Sequence, residues 1–281
     1  MSPDNQEVYD STEVARHFDE ALGWIDRGEQ AALLSIASTV RGKRLLDIGV
    51  GTGRTFGLLS LLSDSYIGID YSMAMVSACR HKYPEADIRL GDARDLSPFD
   101  NDSVDFVLFS FNGIDTLDES GRRSALEEIH RVLDDGGVFV FSTLNKDGCS
   151  YGEKPLQLHR PGQPWDRRLK TFARFLWRNS VDPLRHVRRY RNWRSARLRT
   201  IDVDGWAMKP LSVLDFSLVN HFVTLERLRE ELESVRFDIV AIYESGNADI
   251  HPISPEARRS TTDWFHVVAR KSEPCDRENM R

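Results

Sequence analysis

An α/β fold built on a doubly wound, mostly parallel sheet is what this sequence predicts, and three observations predict it. Short apolar runs alternate with segments of helical periodicity across residues 40–145. The first run, Arg44 to Ile48, stops abruptly at the alternating glycines Gly49, Gly51 and Gly53. The runs that follow also end in polar or glycine-rich turns. Turns of that kind suit the carboxyl edge of a parallel sheet, where open α/β folds bind their ligands.

The first run and its turn read as a buried strand, a tight turn and a helix over 55–62. Glycine lets the backbone take positive φ and lets a ligand approach the main chain. Free N–H groups at a helix start favour an anionic group. Taken alone, such a turn also fits a plain structural role. The second run, Tyr66 to Ile69, ends in Asp70. That acid lies about 20 residues past the turn, where it can accept hydrogen bonds from ribose hydroxyls. Ser72 to Lys82 reads as a helix, with Met73, Val76 and Ala78 available for packing. The third run, Ile88 to Leu90, ends in Gly91-Asp92-Ala93, and the fourth, Val104 to Phe109, in Ser110-Phe111-Asn112-Gly113. A helix over Arg122 to Leu133 is stopped by Asp134-Asp135-Gly136-Gly137, and Val138 to Ser142 is the fifth strand.

These motifs, in this order, carry a family resemblance. Leu-Asp-Ile-Gly-x-Gly-x-Gly (46–53), Gly-Ile-Asp-Tyr-Ser (68–72), Gly-Asp-Ala (91–93), Phe-Asp-x-x-Asp-Ser-Val-Asp-Phe-Val (99–107) and Arg-Val-Leu-x-x-Gly-Gly (131–137) resemble a class I S-adenosylmethionine-dependent methyltransferase. Residues 40–145 carry the resemblance strongly and 220–270 loosely. Val50 stands where many members have Cys, Ala or Ser, at a tolerant position. The resemblance implies a Rossmann-like, mostly parallel seven-stranded sheet whose last strand is antiparallel. It also implies an N-terminal helical lid (1–39), a core (40–145), an inserted cap (146–222) and a C-terminal part of the core (223–270); the charged residues 271–281 read as a loose tail.

It further implies cofactor roles for matching residues. Gly49 and Gly51 bring the backbone to the methionine moiety of S-adenosylmethionine, and Asp47 orders the turn or reaches the cofactor's amino group through water. Asp70 clamps the ribose, with Tyr71 beside it in the same motif, and Asp92 with the Ala93 amide reads the adenine. Ser110 or Phe111 lies where methyl donor meets acceptor. Tyr9 and Arg16, on the lid, reach the methionine end; the alternative is that Tyr9 packs and Arg16 is solvated. Met75 is placed near the adenine or simply in the core.

Composition narrows the class. The chain has 281 residues, enough for one large domain or one domain with a sizeable insertion. It has no apolar run of about 18 residues, so no membrane span is expected. The N-terminus is polar, without the apolar segment of a secretory signal. Cys79, Cys149 and Cys275 form neither a disulfide framework nor a CxxC pair, and a reducing cytoplasm is the expected compartment. Residues 1–6 are expected to be disordered, and a helical pattern runs from Tyr9 to Ala37 with a break near Gly28.

Beyond Lys146 the composition changes. Residues 153–199 hold fourteen Arg and Lys against Glu153, Asp166 and Asp182, a local charge of about +11 in a chain of net charge −6. Leu169, Phe172, Phe175 and Leu176 mark a basic amphipathic helix, and Arg185 to Arg199 a second basic stretch with Tyr190 and Trp193. Three readings stand: a solvated surface paired with the acidic core, a receiver of an anionic substrate or acidic carrier protein, or a nucleic-acid surface. No RNA-binding module accompanies it and the sequence pI is about 5.8, which disfavours the last. Past the cap, Trp206 to Phe222 suits one or two strands. Thr224 caps a helix whose Leu225, Leu228 and Leu232 face the core. Phe237 to Tyr243 and Trp264 to Ala269 are the final strands.

Methyl transfer is an in-line displacement and depends on orientation more than on any one side chain. The candidate base is His221, a polar site in an apolar run, able to take a proton near neutral pH. A packed structural histidine is its other reading. Asp115, His159, Tyr190 and His251 are weaker candidates. No Asn/Asp-Pro-Pro-Tyr motif follows the fourth strand, against the common base-amine and glutamine methylases, and no His/Asp/Glu triad at metal-binding spacing stands out. The expected activity is methylation of an oxygen or nitrogen of a small molecule, anionic acceptors included, with S-adenosylhomocysteine as product. The alternatives are an RNA- or carrier-protein-directed enzyme, a non-catalytic S-adenosylmethionine-binding protein, and a Rossmann dehydrogenase.

Overall fold

Strand β1 (Leu45–Ile48) is buried at every position and lies in the interior of the sheet. It pairs in parallel with β2 (Tyr66–Asp70) on one side and β4 (Val104–Phe109) on the other. The computed structural model describes residues 3–19, 24–155, 183–246 and 251–272. With β3 (Asp87–Leu90), β5 (Leu133–Leu144), β9 (Phe237–Glu244) and β10 (Trp264–Lys271), the seven-stranded order is β3-β2-β1-β4-β5-β10-β9. Strands β1 to β5 run parallel; β10 is antiparallel to both β5 and β9. The expected mostly parallel sheet with an antiparallel last strand is what forms. Its order reverses between β1 and β4, the switch point where such sheets open a crevice.

The two-residue alternation of strand side chains loads both faces. Leu45, Phe106, Leu108 and Val140 pack with Ala32, Leu33 and Ile36 of α3 (Arg27–Val40) and with Val76 and Cys79 of α5 (Met73–Lys82). Leu46, Ile48, Val107 and Phe141 pack on the other face with Ala125, Leu126 and Ile129 of α6 (Glu119–Val132) and with Leu225, Leu228 and Leu232 of the helix Leu225–Ser234. Thr224 caps that last helix, its hydroxyl accepting from the Arg227 amide.

Several boundaries differ from the expectation. The helix after the glycine turn, α4, spans Phe56–Leu59, and i→i−3 bonds carry the turns on to Leu62. Helix α6 starts at Glu119, earlier than its apolar pattern, because Asp118 caps it by accepting from the Gly121 amide. The N-terminus is not disordered through residue 6. Pro3–Tyr9 is a helix, α1, and Asn5 is buried, its amide donating to the carbonyls of Thr116 and Val219. Thr12–Asp19 forms α2. Lys271, placed by the sequence at the head of the tail, closes β10, and its Nζ donates to the Leu133 carbonyl at 2.6 Å.

Of the basic insertion, residues 156–182 lie outside the described residues, and with them His159, Leu169, Phe172, Phe175 and Leu176. The described part is a helix, Pro183–Ala196, and a small antiparallel sheet of β6 (Ile201–Asp202), β7 (Trp206–Pro210) and β8 (Val219–Val223). The sheet joins the end of β5 through the Lys146 amide, which donates to the Val223 carbonyl.

Candidate functional site

The glycine turn follows directly from β1. Gly51 has φ +57°, and a Cβ built on it meets nothing within 4 Å, so its bare backbone faces open space. Gly53 has φ +86° and no such space: a Cβ there would lie 2.6 Å from the Tyr83 ring. Asp47, fully buried at the end of β1, holds the turn from behind. Its Oδ2 accepts from the Thr55 hydroxyl at 2.7 Å and the Tyr66 hydroxyl at 2.9 Å, while Oδ1 has no partner. Burial pushes its carboxyl up to about 6. Asp70, at the end of β2, accepts from the amides of Gly51 and Ser72, each at 2.9 Å. Burial outweighs these two bonds and pushes this carboxyl also up to about 6.

These elements border a cavity at the carboxyl edge of the sheet. Tyr9, Gly49, Gly51, Asp70, Tyr71, Met75, Asp92, Ala93, Ser110 and Phe111, all expected at the cofactor, line this one space. Two of the expected residues stand apart. Asp47 is not in the lining and acts on the turn. Arg16 is exposed and also outside the lining, so its contact with the cofactor has no geometry behind it, and the solvated reading fits its position.

At one end of the cavity the Asp92 carboxylate is gripped by its neighbour Arg94, whose Nε lies 2.9 Å from Oδ1 and whose backbone amide donates to the same oxygen. Burial opposes the charge, but the Arg94 bonds prevail and hold Asp92 below the usual carboxylate range. Phe111, on the lining, and its neighbour Asn112 are both left-handed, at φ +53° and +58°. Strain of about 1–3 kcal/mol per residue is typical of such positions. The Asn112 amide is held by the Ser142 hydroxyl at 2.6 Å.

Sequence reasoning missed Arg54 and Phe18. The Arg54 guanidinium makes a bidentate pair with buried Glu29 at 2.7 and 2.8 Å, donates to the Ser110 hydroxyl at 2.9 Å and lies 5.1 Å over the Phe111 ring. It so ties α3, the glycine turn and the end of β4 together. Phe18 lines the cavity beside Tyr9, their ring centroids 5.8 Å apart. The Tyr9 carbonyl accepts from the Ser72 hydroxyl, which holds α1 against the end of β2. Burial pushes the hydroxyls of Tyr9 and Tyr71 up, so neither is a base near neutral pH.

His221 is outside the cavity lining, contrary to its expected place between acceptor and cap. It is 1% exposed on β8, stacks on Trp206 with ring centroids 5.3 Å apart, and lies with Nε2 2.7 Å from a Glu119 carboxylate oxygen. Burial lowers its pKa against the pull of Glu119. The pleat of β8 explains the outcome: polar in an apolar run, the residue faces Glu119 rather than the cavity. Asp115 is likewise off the lining. It is buried under the strained turn, accepting from Arg122 Nη1, the Thr143 hydroxyl and the Leu144 amide, each at 2.7 Å. Burial pushes it up to about 7. Tyr190 and His251 are exposed and also off the lining. Among the described residues, no group of His, Cys, Asp and Glu could hold a metal ion, and no helix is long and apolar enough to cross a membrane.

Comparisons with known proteins converge on this region. A family model described as a methyltransferase domain matches residues 46–141. A protein of Mycolicibacterium smegmatis named "Probable S-adenosylmethionine-dependent methyltransferase" is 35% identical over 46% of this chain and 48% of its own length. A demethylmenaquinone methyltransferase of Clavibacter sepedonicus is 31% identical over 57% of this chain and 66% of its own. The chain thus spans about half to two thirds of the length of these relatives. The crystal structure of an S-adenosylmethionine-dependent methyltransferase from Mesorhizobium loti shares the fold, with a TM-score of 0.55 at 19% identity over 85% of this chain and 97% of that one. The matched stretch runs from the glycine turn to β5, the part of the sheet that builds the cavity, and this agreement identifies residues 46–141 as a class I S-adenosylmethionine-dependent methyltransferase domain.

Proposed function

We propose that this chain transfers the methyl group of S-adenosylmethionine to an oxygen or nitrogen of a small organic molecule. One observation carries the reading: the open approach at Gly51 and the buried carboxylate of Asp70 face the same cavity at the sheet's switch point. A side chain at Gly51 would fill the space that a ligand's approach to the main chain requires. A carboxylate offers about four acceptor positions; the amides of Gly51 and Ser72 leave Asp70 capacity for two ribose hydroxyls. Met75 and the Ala93 amide flank the adenine end, and Gly49 and Gly51 the methionine end.

When bound, S-adenosylmethionine supplies an electrophilic methyl carbon on a sulfonium. The chain's own part is to aim the acceptor. Tyr9, Phe18 and Phe111 wall the outer end of the cavity with aromatic rings, which exclude water and favour an apolar or planar acceptor body. Ser110 and the strained backbone of Phe111 stand where the acceptor atom meets the methyl carbon. Orientation of this kind can supply several kcal/mol. His221 has a packing role in this reading, and the acceptor's proton leaves to solvent. A relative named demethylmenaquinone methyltransferase is in keeping with a small-molecule acceptor.

The test is turnover. Purified protein is incubated with methyl-labelled S-adenosylmethionine and a panel of phenols, amines and carboxylic acids, and S-adenosylhomocysteine is quantified. Label in an acceptor with matching S-adenosylhomocysteine is expected. Tight cofactor binding with no transfer to any class of acceptor would overturn the reading in favour of a non-catalytic binding protein.

A further inference from the structure

The helix Pro183–Ala196 is oriented against the usual rule for a surface helix, which turns its apolar stripe to the core. Apart from Ala196, which is buried in a small apolar cluster with Met208 and Val219, its inward contacts are cationic and polar. Arg185 Nε donates to Asp215 at 2.9 Å, Arg188 Nη2 to the same carboxylate at 2.7 Å, and Asn192 to the Asp215 carbonyl at 3.1 Å. The Arg189 guanidinium lies 5.1 Å over the Phe216 ring. The exposed apolar side chains point the other way. Leu184 is 78% exposed, Val187 66%, Tyr190 49%, and Leu198, just past the helix, 88%. Exposed Arg191 and Arg194 lie between them. Residues 184, 187, 191, 194 and 198 follow a spacing of three and four, so apolar tips and guanidinium groups share one outer face.

We propose that this outer face docks on the surface of an anionic phospholipid bilayer. Leu184, Val187 and Leu198 enter the headgroup–acyl boundary, while Arg191 and Arg194 lay their stems along it and meet lipid phosphates. The charge is locally complementary: residues 153–199 carry about +11 in a chain of net −6, so attraction to an acidic surface acts through this segment. A nucleic acid would use the same cations but gain nothing from solvent-facing Leu and Val. The proposal is independent of the methyl acceptor and of the cofactor cavity.

The test is flotation of the full chain with vesicles of phosphatidylcholine alone and of phosphatidylcholine with phosphatidylglycerol at a ratio of about two to one. Binding to the anionic vesicles only, weakening as salt rises, is expected. The Leu184→Ser/Val187→Ser variant, which keeps every charge, should partition on the order of tenfold less. Arg191→Gln/Arg194→Gln should also lose on the order of tenfold. Both pairs are exposed, so melting temperatures should match the wild type and show that both variants fold. Absence of vesicle binding, equal binding to neutral vesicles, or full binding by the Leu184→Ser/Val187→Ser variant would each overturn the proposal. So would polyuridine binding that depends on the arginines and ignores the apolar pair.

Discussion

Replacing Gly51 by Ala separates what the glycine turn does for the fold from what it does for a ligand. Gly51 sits at φ +57° with no atom within 4 Å of an added Cβ, and Gly42, remote from the cavity, sits at φ +71° with the same free space. Each alanine therefore meets the same backbone penalty and no clash. A left-handed non-glycine residue costs about 1–2 kcal/mol, partly offset by about 0.4–1 kcal/mol from a less flexible unfolded chain. The net loss is about 1 kcal/mol in both variants, or a fall in melting temperature of roughly 2–4 °C for a chain of this size. Binding should split them. In Gly51→Ala the added methyl projects into the space beside the backbone that a ligand must approach, an overpacking worth about 1–3 kcal/mol, or roughly 5–150-fold in affinity. Calorimetric melts and titrations with S-adenosylhomocysteine measure both quantities. Wild-type affinity in Gly51→Ala, or an equal loss in Gly42→Ala, would refute the argument that this turn is open because a ligand lies against it.

Other substitutions probe the remaining parts. Asp70→Ala should weaken S-adenosylhomocysteine binding by about 1–3 kcal/mol, since the ribose hydroxyls lose their charged acceptor; unchanged affinity by calorimetry would remove the ribose assignment. Burial raises the Asp70 carboxyl from 3.8 to about 6, so its contribution to apo stability is full below pH 3.8 and is lost as pH rises through 6. Affinity for S-adenosylhomocysteine, which uses the Asp70 anion, should instead rise across the same window, and titrations on either side of pH 6 check the sign. Asp115→Asn leaves the fully buried Arg122 guanidinium with Glu231 as its remaining carboxylate partner; urea denaturation should show a loss of about 3–5 kcal/mol. For His221→Ala, the denaturation midpoint should fall while turnover per folded molecule holds; a drop in kcat of about 10²-fold or more would restore it as the base.

Much of the cavity was legible because its residues end strands. A run that stops at Asp70 or at Gly91-Asp92-Ala93 reports both the strand and the edge at which it finishes, and the parallel order brings those ends together. What was not legible depends on partners far away in sequence. Asn5 anchors a polar N-terminal helix through the carbonyls of Thr116 and Val219, and no local pattern marks either. Arg54 reads as the residue after a glycine turn until Glu29, 25 positions earlier, folds beside it. His221 shows how far alternation reaches: it identifies a polar residue in a buried strand but not which neighbour meets that face. The basic insertion was visible as composition, yet its helix at Pro183–Ala196 turns arginines inward because Asp215 lies beneath it, which composition cannot indicate.

A crystal structure of the chain with S-adenosylhomocysteine tests the central claim most directly. The ribose hydroxyls should lie about 3 Å from the Asp70 carboxylate, the adenine between Met75 and Ala93, and the thioether sulfur toward Ser110 and Phe111, with the space walled by Tyr9 and Phe18 left for the acceptor. A ligand bound elsewhere, or one whose ribose turns away from Asp70, would contradict it.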